Sequence, residues 1–355
     1  MKRQACASAF SVLGLILLMA GYIGCKMRGL GQLPLFLNTL GESGGLFIAA
    51  GALLIMAGAA VGNYYCKACW KPYLLILPAM AFLLIFVLYP ILNVIYLSFF
   101  KGSVLNPAKE FVGLKNYISM FNKTAFQTAV RNTLLYAISL VILVIFLSML
   151  MARWLFENRK LNKICQTAIF TPHLIATVSC AFIWRWIMDF NSYGLLNTAL
   201  GIFGIAPVAW LESSDTALLS VIVMNTWKNI GYYTLIMIAA MKSIPAEIYE
   251  AAELDNASGT KRFFRITLPM ISPQLFFILV LMTIGSFNVF DSVNAMTGGG
   301  PGSSTEVIAR FIYLFAFKNN NTLGLGCSAA VFLMSLQLVM TVLYFKLLEK
   351  RVHYQ

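Results

Sequence analysis

EAAELDNASGTKRFFRITLP, residues 250–269, crowds Glu250, Glu253, Asp255, Lys261, Arg262 and Arg265 into one short stretch of a 355-residue chain that is 60% hydrophobic and 11% charged. Apolar runs flank it, near 216–241 before and 269–293 after. Crossing a bilayer takes roughly 20 mostly apolar residues, so each flank is long enough to span. A charged island between two such runs reads as a short extramembrane connection in a helical membrane protein.

The same pattern extends outward along the chain. Eight apolar runs fall near 5–25, 45–63, 73–100, 130–152, 164–188, 216–241, 269–293 and 323–346. With short connections they use up the length, which leaves no room for a large soluble domain. The fold class expected is an all-α polytopic membrane protein of about eight transmembrane helices. The formal charge of +13 is explained by topology. With the amino terminus inside, the inner segments gather Lys2, Arg3, Lys67, Lys71, Arg153, Arg159, Lys160, Lys163, Lys242, Lys261, Arg262, Arg265, Lys346, Lys350 and Arg351. Outer loops carry Glu42, Glu110, Glu212, Asp215 and Glu306 beside fewer bases. That asymmetry places both termini in the cytoplasm and removes the need for a nucleic-acid partner.

Residues 1–70 read as an accessory two-helix region, in which Gly58 and Gly62 have the spacing that lets helix backbones approach closely in lipid. Lys2 and Arg3 before an apolar run ending at Cys25 resemble a signal peptide, but the run has full membrane length, and an uncleaved helix is expected. The seven cysteines form no disulfide framework. Cys66 and Cys69 have metal-like spacing, but no second pair accompanies them and the chain has only His173 and His353 besides, so no metal is expected.

Three outer loops interrupt the later part of the chain. In the first, Phe111, Leu114, Tyr117, Ile118 and Phe121 recur at helical spacing, as in an interfacial amphipathic helix. The second covers about 189–215. The third opens on Gly298–Gly299–Gly300–Pro301, a turn; it lacks the Lys and Ser/Thr of a phosphate-binding loop. No G-x-x-x-x-G-K-[ST] occurs anywhere, so the chain carries no ATPase motif of its own.

Inside the charged island, Ser243 is expected to cap a helix with Pro245 in its first turn. Glu247, Glu250 and Glu253 suit that helix's positive end, and Ala251 with Ala252 give it a narrow face for a partner. Asn256 and Gly259 both tolerate left-handed backbone angles and mark a break. A basic helix with Lys261, Arg262 and Arg265 follows, and Pro269 begins the next span.

These residues resemble the signature of the transmembrane subunits of ATP-binding-cassette (ABC) importers: E-A-A, three residues, G, nine residues, I-x-L-P. Glu250, Ala251, Ala252, Ile266, Leu268 and Pro269 match at the right spacing, and Asn256 stands at the signature glycine. GLKNYISMF, FQTAVRNTLLYA, NTWKNIGYYTLIMIAAMKSIPAEIYEAA and MTGGGPGSSTEVIARFIYLFAF resemble the MalF-type permeases of carbohydrate uptake. The likeness implies a six-helix type I importer core over 71–350, with a coupling loop over 243–268 and a cytoplasmic tail over 351–355.

Two stretches hold polar residues inside expected spans, where they are costly unless used. In the sixth, Asn225, Lys228 or Asn229, and Tyr232 mark one polar face, with Trp227, Gly231 and Tyr233 beside it. In the seventh, Ser286, Asn288 and Asp291 cluster, with Asn288 and Asp291 on one face. Amides, hydroxyls and aromatic faces suit a neutral sugar, and the resemblance puts sugar contacts on these stretches. The other reading is that they bond neighbouring helices together. Arg185 and Asp189 are expected to pair along a helix, and His173 to be structural.

The resemblance further implies a second homologous permease, two ABC ATPase subunits and an extracellular or periplasmic substrate-binding protein, in a bacterial inner membrane. Glu250 would dock on the ATPase. No cofactor is expected on this chain, with ATP and magnesium on the ATPase, and no enzymatic activity. A permease for glycerol phosphate or another polyol is the alternative; an ion-coupled secondary transporter would need more buried carboxylates than the spans contain.

Overall fold

A computed structural model describes residues 76, 79–80, 82–157, 159–191 and 194–348. The accessory region 1–70, with Cys25, Gly58, Gly62, Cys66 and Cys69, and the tail 351–355 lie outside the described residues. The chain divides into two compact units, residues 1–116 with 319–328, and residues 117–318 with 329–355.

In the first unit, helix α1 (Tyr89–Leu97) follows a π-helical turn over Leu84–Leu88. Strands β1 (Phe100–Lys101) and β2 (Glu110–Phe111) then pair antiparallel, Phe100 opposite Phe111. Phe111 therefore stands in a hairpin, and only Lys115–Phe121 (α2) of the expected amphipathic segment is helical. Asn116 fastens the hairpin by donating its amide to the carbonyls of Ser98 and Phe100 at 2.8 and 2.9 Å.

The second unit is built around α3 (Thr124–Leu155) and α7 (Ala217–Lys242). Between them come α4 (Lys160–Leu174), α5 (Thr177–Ile187) and the short helix α6 (Leu195–Ile202). After α7 follow α8 (Ala246–Leu254), α9 (Gly259–Arg262), α10 (Leu268–Met270), α11 (Ser272–Phe287), α12 (Asp291–Met296), α13 (Ile308–Tyr313) and α14 (Leu323–Leu348). Helix α7 packs against α3, α4 and α11, which makes it the central post of this unit.

Among the described residues, two helices, Thr124–Leu155 and Leu323–Leu347, are long and apolar enough to cross a membrane. Two expected spans are bent instead. α4 and α5 meet at 101°, and the helical run Gly259–Met270 meets α11 at 67°. Pro172 lies near the end of α4, and Ile175 and Ala176 then take extended angles, so the first span breaks there. The expected seventh span also ends early, because Asn288 terminates α11 and a separate helix starts at Asp291. Helix α7 has 26 residues but is absent from the apolar set. Its midsection NTWKN, residues 225–229, is too polar.

Small polar side chains join the two posts. Ser148 of α3 donates to the carbonyl of Ile230 at 3.0 Å, and Thr234 donates to the same carbonyl at 2.7 Å. Near the start of α3, Asn132 donates to the carbonyls of Ser303 and Glu306, and Thr133 accepts the amide N–H of Ile308. The glycine run is a turn as expected, with Gly298 and Gly299 at φ +59° and +84°. In the connection over 189–215 Asn197 serves as a hub, accepting from the Val208 amide and the Trp210 indole while donating to the carbonyl of Asp189. Asp189 uses its carboxylate to accept the amide of Asn191, not to pair with Arg185.

Candidate functional site

Helical spacing on α7 sorts its polar residues into two groups. Asn225, Asn229 and Tyr233 are four apart and lie on one stripe. They line a cavity of about 220 Å³ together with Ser286 and Asn288 at the end of α11 and Asp291 at the start of α12. Residues from both predicted stretches therefore converge. The break at 288–290 ends any shared helical face for Asn288 and Asp291, and yet both line the same space.

Within this wall the amides are held in place. Asn225 donates to the carbonyl of Val221 at 3.0 Å and Asn229 to that of Asn225 at 2.7 Å. Asn288 donates to Ile284 and accepts from the side-chain amide of Gln337 at 3.0 Å. Ser286 donates to Thr283 at 2.8 Å. The amide oxygen of Asn225 and the hydroxyl of Tyr233 stay available for a hydroxylated guest, with ring faces beside them, while the Asn229 side chain also bonds His173.

The second group on α7 faces the bent pair α4–α5. Lys228 is 8% exposed, and its ammonium donates to the carbonyls of His173 and Ile175 at 3.2 and 2.6 Å. Carbonyls at a broken helix end have no partner within the helix, and a cation there also meets the negative end of its dipole. Tyr232 stacks on His173, ring centroids 4.4 Å apart. Trp227 meets Trp184 edge-on at 5.6 Å. At Gly231 the two backbones touch, so that a Cβ would collide with the carbonyl of Ile169. Trp227, Lys228, Gly231 and Tyr232 are therefore not brought to the cavity wall.

Among the polar wall residues, Tyr136, Thr177 and Ser292 escaped sequence reasoning. Tyr136 lies one turn beyond Asn132 and Thr133 in an otherwise apolar run, and that polar recurrence was the available signal.

The charged island folds as a compact helix–turn–helix. α8 begins after Pro245, which takes the capping position, while Ser243 closes α7 by donating to the carbonyl of Ala240. Asn256 stands at φ +50°. The amide of Ala257 reaches back to the carbonyl of Ala252, and that of Asn256 to Glu253, both at 3.0 Å, a left-handed helix stop. Ser258 then caps α9 by accepting from the amide of Lys261. The helix continues through a π turn over Phe263–Thr267, which holds Ile266, into Leu268 and Pro269.

Tertiary contacts fix this knob. Tyr249 shares a hydrogen bond with Thr267 at 3.1 Å, Arg153 donates to the carbonyl of Gly259 at 3.3 Å, and the Arg153 guanidinium covers the ring of Phe263 at 5.0 Å. Ala252 is 5% exposed and faces inward, so its small side chain serves packing within the knob and not a partner's approach. The outer face carries Glu250, Ala251 and Leu254, the last 86% exposed. No side chain among the described residues pairs with Glu250. Leu254 went unremarked in the sequence, although it stands one turn from Glu250.

A cavity between polar stripes and a free-faced knob on one helical unit point to a transport subunit, and comparison decides which kind. The family model described as binding-protein-dependent transport system inner membrane component matches residues 144–354. The chain belongs to that family. It is a permease subunit of an ABC importer, an inner-membrane component of a system that depends on a separate substrate-binding protein. Similar proteins include the probable ABC transporter permease YurN of Bacillus subtilis, 35% identical over 78% of this chain and 94% of that protein. The trehalose/maltose transport system permease MalF of Thermococcus litoralis is 32% identical over 77% of this chain and 92% of its own length. The sn-glycerol-3-phosphate permease UgpA of Yersinia pestis is 33% identical over 81% and 96%. A crystal structure of a bacterial ABC transporter that imports the acidic polysaccharide alginate superposes with a TM-score of 0.70 at 24% identity, covering 78% of this chain and 94% of that one. That likeness supports the fold of the permease.

Proposed function

We propose that this permease forms half of the translocation pathway for a sugar or oligosaccharide and receives the ATPase stroke through residues 243–268. What carries the reading is the convergence of Asn225, Asn229, Tyr233, Ser286, Asn288 and Asp291 on one cavity. At about 220 Å³ the cavity is smaller than typical ligand sites of roughly 300–1,000 Å³. A second homologous permease would complete it. Two ABC ATPase subunits would bind ATP and magnesium; this chain would hold no cofactor and catalyse no reaction. Both termini would be cytoplasmic. The trehalose/maltose relative favours the sugar reading, and the glycerol-phosphate relatives favour the alternative of a phosphorylated or plain polyol.

In this mechanism Glu250, Ala251, Leu254, Asn256 and Gly259 present a stiff surface to the ATPase, and Ala252 anchors it from within. Ile266, Leu268 and Pro269 carry the motion into α11 as a rigid-body displacement. Glu250→Lys places a wrong charge in that contact. Breaking a buried charge pair costs about 3 kcal/mol or more, so uptake should fall about 100-fold. Uptake into proteoliposomes and retention of the ATPase on the purified permease would both be measured. Normal uptake by the variant refutes the docking role.

A further inference from the structure

The polar cavity in the second unit has a one-signed wall. Among the described residues lining it, Asp291 is the sole bearer of a formal charge; the others are amides, hydroxyls, aromatics and aliphatics. Its carboxylate is exposed, and no side chain or backbone group among the described residues bonds to it. Lys228 follows Trp227 and directly precedes the wall residue Asn229, but its ammonium is committed to the carbonyls of His173 and Ile175, and the residue is 8% exposed. Withdrawing it would leave two helix-end carbonyls unbonded in apolar surroundings. Arg185, on the neighbouring α5, is exposed and is not a wall residue.

Resting on the reading of this cavity as the cargo site, we infer that Asp291 makes the permease selective for uncharged saccharides and that it rejects cargo bearing phosphate, carboxylate or sulfate. Amides and hydroxyls accept either kind of cargo, so the wall's discrimination comes from its charge. An anionic group brought to ~6 Å of Asp291, at an effective dielectric of about 20, binds about 100-fold more weakly, a difference of about 2.8 kcal/mol. Among the relatives' cargoes, the trehalose/maltose class fits this wall, and glycerol phosphate and alginate do not.

Cysteine reactivity tests the charge without knowing the cargo. In the complete importer in nanodiscs, with native cysteines replaced, Asn288→Cys would be treated with size-matched cationic and anionic methanethiosulfonate reagents, with and without nucleotide. Rates would be normalised to those of a free thiol. The expected cation-to-anion ratio is on the order of 10 or more at low salt, it shrinks as salt screens the carboxylate, and it collapses toward unity on adding Asp291→Asn. Asn229→Cys serves as a second probe position if the first variant folds poorly. A ratio near unity, a ratio indifferent to Asp291→Asn, or a cysteine closed to both reagents in every nucleotide state overturns the inference. Protection of the same cysteine by maltotriose but not by a mannuronate trisaccharide supports it, and the reverse order overturns it. If the charge ratio holds but no transported sugar protects the cysteine, the cargo-site reading fails instead, and the selectivity inference falls with it.

Discussion

Gly231 shows how much one side chain can decide. Its missing Cβ lets α7 and α4 meet backbone to backbone, against Ile169 and Phe170. Gly231→Ala forces a shift of main chain, for which overpacking costs of about 1–3 kcal/mol are usual. The variant should show a clearly lower Tm in detergent; a Tm equal to wild type would mean the helices part easily there. Glu306 is a second such residue, in the loop between α12 and α13. Burial raises its carboxyl above the ordinary Glu range, and the Arg310 guanidinium beside it pulls the other way. A raised pKa means that the folded state holds the proton more tightly than the unfolded chain. Stability is then greatest below the ordinary Glu value and falls as pH climbs through the raised one. Thermal unfolding across that window should show this slope, and Glu306→Gln should flatten it.

At the scale of elements, the broken pair α4–α5 depends on a cation from a third helix. Lys228 bonds the carbonyls that the break exposes. Lys228→Met leaves both unsatisfied, with a penalty of about 1–3 kcal/mol per buried group; Lys228→Arg retains donors. Hydrogen exchange should speed up over 173–180 in the Met variant and much less in the Arg variant. Equal protection in both would show that the break is held by other contacts. The helix–turn–helix at 246–262 was largely legible in sequence, because Pro245 and Asn256 each impose a local backbone choice, whereas the cap at Ser258 was not foreseen and Ser243 closes α7 instead. Which way Ala252 points was not legible, since that depends on Tyr249 and Thr267 meeting across the turn.

For the whole molecule, the proposed orientation puts Glu250 in the cytoplasm and Ser303 outside. In a cysteine-replaced background in intact cells, an impermeant thiol reagent should label Ser303→Cys directly and Glu250→Cys only after permeabilisation. Labelling of the latter from outside would invert the topology. The charge asymmetry of the loops carries this expectation, because it concerns only where bases lie along the chain.

Membrane character, helical class and the signature island were determined by sequence alone, for each rests on local composition or short spacing, which a linear chain records directly. Tertiary structure decided the rest. It split the polar residues of α7 between a cavity and a helix break, turned Lys228 from a candidate ligand into the cap of another helix, and recruited Tyr136 and Ser292 to the wall. The physical reason is that a helix offers several polar stripes, and only its packed neighbours settle which stripe faces bonded backbone and which faces open space.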